Sequence, residues 1–299
     1  MTELVRVESC CKVYRVGAFG SKRLSAVKNV SFDVGPGEVV SLIGESGSGK
    51  STIGRMILRL SPVTAGAITF KGSDVAGLRG QGLKEYYRHA QGVFQDPFSS
   101  YNPIYKADRV FKLVRDAYFP HVSSEEWSRK VEESLEAVSL DPGQVLHKYP
   151  HQLSGGQLQR LLVARALLLD IDFLVADEII SMLDASTRID VLNLLGDLKA
   201  RGLGILFITH DLSLGNYISD RTVILRKGVV VEMGETGKVF GNPQHPYTRM
   251  LLASVPQLHR KWEELEAEYE RARADDAADS DASGLVELEP GHLVRREAA

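Results

Sequence analysis

Residues 44–51 read Gly44-Glu45-Ser46-Gly47-Ser48-Gly49-Lys50-Ser51, with Thr52 next. Such a stretch is suited to holding phosphate. Glycines admit backbone angles closed to other residues, so successive N–H groups can turn inward around an anion. The Lys50 ammonium would neutralise the β and γ phosphates of a nucleotide, and the Ser51 hydroxyl is placed to ligate Mg²⁺. Thr52 and the N–H groups of a following helix would add donors toward the phosphates.

This chemistry needs a loop running from a buried strand into a helix, and the flanking sequence supplies one. Val39 to Ile43 is an apolar run, and Ile53, Met56, Ile57 and Leu60 recur at helical spacing after Lys50. Upstream, Leu4 to Cys10 and Val27 to Val34 read as strands, with a turn at Pro36-Gly37. From about Gln95 to Asp170 the pattern is mostly helical, clearest at Trp127 to Val138 and Gly156 to Leu169. Strand signals return at Asp172 to Ala176, Gly204 to Ile208 and Thr222 to Leu225, around a helix at Ser186 to Lys199. That alternation predicts a largely parallel α/β sheet with an inserted helical subdomain. After Phe240 come a proline-rich turn, a charged helix near Lys261 to Ala274 and an acidic run from Asp275 to Gly284 that reads as a flexible linker.

A phosphate loop alone leaves GTPases, kinases, helicases and transporters open. Two further motifs narrow the choice. Residues 153–160 read LSGGQLQR, where Ser154, Gly155 and Gly156 open a helix whose N–H groups and dipole favour an anion. Residues 173–178 read FLVADE, an apolar strand ending in two acids. Together with the loop these resemble the ATP-binding subunits of ABC transporters, over about residues 3 to 235.

The resemblance implies a P-loop NTPase core with an antiparallel β subdomain, the helical subdomain at about 95–170, and a short C-terminal extension over 236–299. It also implies roles. Glycines 44, 47 and 49, with Glu45, Ser46, Ser48, Lys50, Ser51 and Thr52, would cradle the ATP phosphates. Asp177 would hold Mg²⁺ through water, and Glu178 would be the general base for the attacking water. Gln95, in VFQDP, is similar to the glutamine that reaches Mg²⁺ and the water, and its neighbours would touch the membrane subunits. His210, in FITHD, resembles the histidine that contacts the γ-phosphate, and Tyr14 the aromatic residue that stacks on adenine. Ser154 to Gln157 would close on the γ-phosphate held by the other subunit of a dimer.

One stretch departs from the pattern. After Glu178 such proteins commonly carry proline and a small polar residue, whereas here Ile179 and Ile180 precede Ser181-Met182-Leu183-Asp184. The expected consequence is an altered local surface with the catalytic residues intact.

Residues 94–103 (FQDPFSSYNP), 149–156 (YPHQLSGG) and 240–248 (FGNPQHPYT) are similar to the ATPases of oligopeptide, dipeptide and nickel importers, some relatives of which import oligosaccharides. The segment LVELEPGHLV, residues 285–294, resembles the chain end of some members. The resemblance implies a second ABC ATPase subunit, preferably a different one, two transmembrane permease subunits and, indirectly, an extracytoplasmic solute-binding protein. The cargo stays open at this point.

Composition excludes several classes. A net charge of −3 offers no general attraction to nucleic acid. The most apolar stretch, Leu161 to Ala176, is interrupted by Arg165, Asp170 and Asp172, so no membrane span is expected, and residues 1–14 do not read as a secretory signal. The expected location is the cytoplasmic face of the cell membrane, held there through the permeases. The two cysteines, Cys10 and Cys11, are adjacent, which suits neither a disulfide nor a metal site. A soluble ABC ATPase acting on DNA or ribosomes would resemble tandem cassettes or a cassette split by a coiled coil, and this sequence has one phosphate loop and no long heptad run.

Overall fold

A computed structural model of the chain describes residues 3–16, 22–181, 183–254 and 284–296. The chain divides into two compact units. One comprises Met1–Gly77 and Leu206–Ala299, the other Leu78–Ile205.

The first unit begins with a long antiparallel hairpin, β1 (Val5–Val16) and β2 (Lys22–Val34), in which Val5 faces Val34 and Val16 faces Lys22. Both strands outrun the expected Leu4–Cys10 and Val27–Val34, because β2 is exposed from Lys22 to Ser25 and the end of β1 facing it is mostly half-buried or exposed, without an apolar alternation. The wholly buried β3 (Val39–Ile43) follows as expected, then α1 (Lys50–Ile57), β4 (Ala65–Phe70) and β5 (Ser73–Asp74). The antiparallel sheet runs β2-β1-β4-β5. Burial of Cys10 pushes its thiol up to about 11, which keeps it protonated and inert.

The second unit holds α2 (Gly80–His89), β6 (Ala90–Val93), α3 (Arg109–Tyr118), α4 (Ser124–Glu136), α5 (Pro142–Val145), α6 (Gly155–Leu167), β7 (Phe173–Asp177) and α7 (Ala185–Ala200). α4 starts where Ser123 accepts the Glu126 N–H at 3.1 Å, and it buries Trp127, Val131 and Leu135, four residues apart along one face. β6 and β7 pair in parallel, Val93 opposite Ala176. Arg165, on α6, donates to Gln91 Oε1 and to the Gly92 carbonyl, which fastens that helix to β6.

The chain then returns to the first unit through β8 (Gly204–Thr209), α8 (Leu212–Ile218), β9 (Arg221–Arg226), β10 (Val229–Glu235), α9 (Thr236–Gly241), α10 (Pro246–Ala253), β11 (Gly284–Glu289) and β12 (His292–Arg296). Its sheet runs β11-β12-β10-β9-β3-β8, with β3 and β9 parallel and the β9, β10, β12 and β11 pairs antiparallel. The segment LVELEPGHLV is the β11–β12 hairpin. The expected charged helix at 261–274 and the acidic run as far as residue 283 lie outside the described residues, and Gly284 opens β11.

A buried acid ties this terminal hairpin down. Glu232, fully buried on β10, accepts the N–H groups of Gln244 and His245 and sits 2.7 Å from His292 Nε2 on β12. Removing one partner of such a group strands the others away from water. Glu232→Ala is expected to lower stability by roughly 3–5 kcal/mol. Urea denaturation would measure it, and a loss under about 1 kcal/mol would show that the carboxylate anchors nothing.

Candidate nucleotide site

The phosphate loop leaves β3 at Ile43 and enters α1 at Lys50, the strand-to-helix path expected for it. Two glycines are dictated by space. A Cβ on Gly44 would lie 2.1 Å from the Leu225 carbonyl oxygen, and one on Gly49 would lie 2.5 Å from that of Ala26. Gly49 also holds φ at 106°, in the left-handed region. The Ser48 carbonyl accepts the Gly228 N–H at 2.9 Å, so the loop is pinned to the turn between β9 and β10.

Lys50 is 4% exposed despite its charge. Its ammonium donates to the Gly44 carbonyl at 2.6 Å and the Glu45 carbonyl at 2.9 Å, which folds the side chain back inside the loop. Tyr14, near the end of β1, has its hydroxyl beside those of Thr52 and Ser61. Burial pushes that hydroxyl up, but the two hydroxyl partners and the Lys12 and Arg55 charges together bring it below its usual value. The Lys12 ammonium lies 5.0 Å from the ring centroid. His210, exposed, follows β8, the neighbour of β3 in the sheet. Asp211 next to it accepts the Ser213 and Leu214 N–H groups and starts α8. The first unit thus gathers Tyr14 and the loop, with His210 just past the end of the adjoining strand.

The second unit gathers the remaining residues. β7 is wholly buried through Asp177, and Gln95 and Glu178 both emerge just past the paired ends of β6 and β7. Asp177 is 4% exposed, Glu178 half-buried and Gln95 exposed. Glu178 holds φ at 50°, a left-handed conformation costing a residue with a side chain roughly 1–2 kcal/mol. The turn that imposes it is visible. The Glu178 carbonyl accepts the Ser181 N–H at 3.1 Å and the Ser181 hydroxyl at 2.9 Å, while Ile179 and Ile180 are each 2% exposed. The expectation that the isoleucine pair alters the surface is therefore corrected: both side chains are buried within their own subunit and anchor the turn. Met182 lies outside the described residues.

The LSGGQ segment forms a reciprocal cap. Ser154 Oγ accepts the Gln157 N–H at 3.1 Å and Gln157 Oε1 accepts the Ser154 N–H at 2.9 Å. The donors of the helix start outside this box are those of Gly155 and Gly156. Gly156 is small because α7 packs there: a Cβ would meet Thr187 Cγ2 at 3.1 Å. Asp184 caps α7 by accepting the Thr187 N–H and the Ser186 and Thr187 hydroxyls, and these bonds, the backbone one foremost, hold its carboxyl down at about 2.

Sequence reasoning assigned no role to Tyr247 or to Glu232. Tyr247 lies in the HPYT run, yet its hydroxyl accepts the Glu45 N–H of the phosphate loop at 3.1 Å. An acid inside the apolar strand VVVEMGE was the available signal for Glu232.

Ser51 in the first unit offers a hydroxyl oxygen, and Gln95 and Asp177 in the second offer an amide and a carboxylate oxygen, each of the hard type that Mg²⁺ takes. No group of three or more His, Cys, Asp or Glu suited to a metal occurs among the described residues.

Residues 27–181 match the ABC transporter family, and residues 231–280 match the C-terminal region of oligopeptide/dipeptide transporters. The chain is 43% identical over 284 residues to the oligopeptide transport ATP-binding protein AmiF of Streptococcus pneumoniae, covering 92% of this chain and 90% of that protein. It is 41% identical over 280 residues to the oligopeptide transport ATP-binding protein OppF of Streptococcus pyogenes, with the same coverages. Among solved structures, a dimeric ATP-binding cassette in a post-hydrolysis state bound to ADP and Pi superposes with a TM-score of 0.70 at 29% identity, over 78% of this chain and 98% of that one. With the loop, the reciprocally capped glycine helix and the acid-ended strand all in place, the chain belongs to the ABC transporter family, among its oligopeptide-type ATP-binding proteins.

Proposed function

We propose that this chain is the ATP-hydrolysing subunit of an importer of oligopeptides or dipeptides, working as half of a dimer that sandwiches ATP. The observation that carries the reading is the conjunction of a caged Lys50 loop with a capped Ser154–Gln157 helix start, in a chain similar to oligopeptide transport ATP-binding proteins. Residues 1–235 form the nucleotide-binding domain, with its helical subdomain at about 95–170, and 236–299 the extension, which the family match at 231–280 supports.

Glycines 44, 47 and 49 let the loop wrap the phosphates, with Glu45, Ser46, Ser48 and Thr52 completing it, while Lys50 neutralises the β and γ oxygens and Tyr14 stacks on the adenine. Ser51, Gln95 and Asp177 would hold Mg²⁺, which supplies charge neutralisation of the phosphate oxygens. Glu178 takes the proton of the attacking water, and His210 contacts the γ-phosphate. Ser154 to Gln157 meet the γ-phosphate bound to the partner subunit.

Two permease subunits and a second, preferably different, ATPase subunit complete the transporter, fed by an extracytoplasmic solute-binding protein. No described helix is long and apolar enough to cross a membrane, in keeping with attachment through the permeases on the cytoplasmic face. The second unit offers an 840 Å³ groove in which apolar Ile104, Phe111 and Trp127 stand beside charged Asp108, Lys112 and Arg115, a mixed lining that suits a short amphipathic helix of a permease.

Lys50→Ala removes a charge-assisted contact to the phosphates. Such contacts contribute about 1.5–3 kcal/mol, so ATP binding should weaken roughly 10- to 150-fold. Fluorescent-nucleotide titration measures this, and unchanged affinity would refute the site. Cargo is tested by reconstituting the chain with its partner subunits and solute-binding protein in vesicles: peptide uptake driven by ATP is expected, and uptake of oligosaccharide alone would replace peptide as the substrate.

A further inference from the structure

The C-terminal extension reaches the phosphate loop at one peptide group. Tyr247, on α10, is 2% exposed, and its ring packs in a core cluster with Ile43, Leu212, Ile224 and Val231. Ile43 is the residue from which the phosphate loop departs. The Arg226 guanidinium lies 5.7 Å from the ring centroid. The position of the tyrosine is fixed from behind as well: its N–H donates to His245 Nδ1 at 3.0 Å, and the N–H groups of Gln244 and His245 donate to the buried Glu232.

The peptide between Gly44 and Glu45 is held at both ends. Its N–H donates to the Tyr247 hydroxyl at 3.1 Å, and its carbonyl oxygen accepts the Lys50 ammonium at 2.6 Å. A peptide plane is rigid, so fixing the N–H fixes the direction of the carbonyl. Gly44 has no Cβ to resist rotation of that plane, and any Cβ there would collide with the Leu225 carbonyl. Tyr247 therefore adds, from outside the loop, a second restraint on this plane beside the Lys50 ammonium.

We propose that Tyr247 is a positioning residue for Lys50, acting through the Gly44–Glu45 peptide, and that the C-terminal extension is in this way a working part of the nucleotide site. The proposal rests on the phosphate-loop reading given above. Tyr247→Phe keeps the buried ring and removes the acceptor, leaving the Glu45 N–H without it. A neutral hydrogen bond contributes about 0.5–1.5 kcal/mol, so ATP binding should weaken about 2- to 12-fold, with the KM for ATP rising in the assembled complex and kcat little changed.

The decisive measurement is a double-mutant cycle on the full chain, using fluorescent-nucleotide titration of the parent, Tyr247→Phe, Lys50→Ala and the double variant, with thermal melts in the absence of nucleotide. If Tyr247 acts through Lys50, its effect disappears once Lys50 is alanine, and the nucleotide-free melting temperature of Tyr247→Phe stays close to the parent's. A Tyr247→Phe affinity equal to the parent's, with Lys50→Ala weakened, overturns the proposal alone. Equal losses in both backgrounds, or a loss matched by a lower melting temperature, assign Tyr247 a structural role and overturn it too. An unaffected Lys50→Ala instead brings down the phosphate-loop reading beneath it.

Discussion

Glu178→Gln should bind ATP as the parent does and hydrolyse it about 10²- to 10⁴-fold more slowly, the usual consequence of losing a general base. The substitution is close to isosteric and leaves the backbone unchanged. That matters at this position, because Glu178 sits at φ 50° and the turn is held by the Ser181 N–H and hydroxyl on its carbonyl and by the buried Ile179 and Ile180. None of these contacts involves the carboxylate, so the glutamine variant keeps the turn. An amide in place of the carboxylate still accepts a hydrogen bond from water but cannot take its proton at neutral pH. ATP is therefore held without being consumed, and the two-subunit closed state accumulates. Phosphate release under single-turnover conditions measures the step directly. Parental turnover would mean that a different group activates the water.

The parts of this fold that were legible in the sequence are those whose signals are local. β3 and β7 are buried on every residue, so they read as near-continuous apolar runs, interrupted only by Ser41 and ended by Asp177, and the phosphate loop and the acid pair could be placed at strand ends. The α6 start was visible from the Ser154-Gly155-Gly156 run ahead of the helical pattern, whereas its reciprocal cap with Gln157 emerged only in the structure. The distal half of the β1–β2 hairpin was not, since its pairing is backbone-made and its side chains carry no alternation. Nor was the left-handed turn at Glu178, which no glycine or asparagine announces; it is imposed by the burial of the two isoleucines behind it. The hydrogen bond from Glu45 to Tyr247 spans 202 residues, and the meeting of Glu232 with His292 spans 60. Contacts at that separation leave no periodic trace, so the HPYT run could be matched to a family without its tyrosine being given a task.

Ser154→Arg should leave ATP binding by the isolated subunit nearly intact while abolishing ATP-dependent dimerisation and hydrolysis at the partner's phosphate loop. Ser154 is exposed at the start of α6, so an arginine can be accommodated within its own subunit. What the serine contributes locally is a cap, its Oγ accepting the Gln157 N–H. Losing a cap costs about 0.5–2 kcal/mol of stability. Ser154→Ala carries that same loss without the bulk or the charge, and it is the control for folding. The arginine variant should match the alanine variant in thermal stability, yet only arginine projects a long side chain into the face proposed to close over the partner's γ-phosphate. Light scattering with and without ATP, performed in the Glu178→Gln background with the second ATPase subunit present, reads dimerisation. If the alanine variant dimerises and the arginine variant does not, the helix start is an intersubunit surface. If Ser154→Arg dimerises and turns over ATP normally, the site is not completed in trans. If the isolated Ser154→Arg subunit loses ATP, the serine serves the nucleotide of its own chain, and a single subunit then carries the whole site.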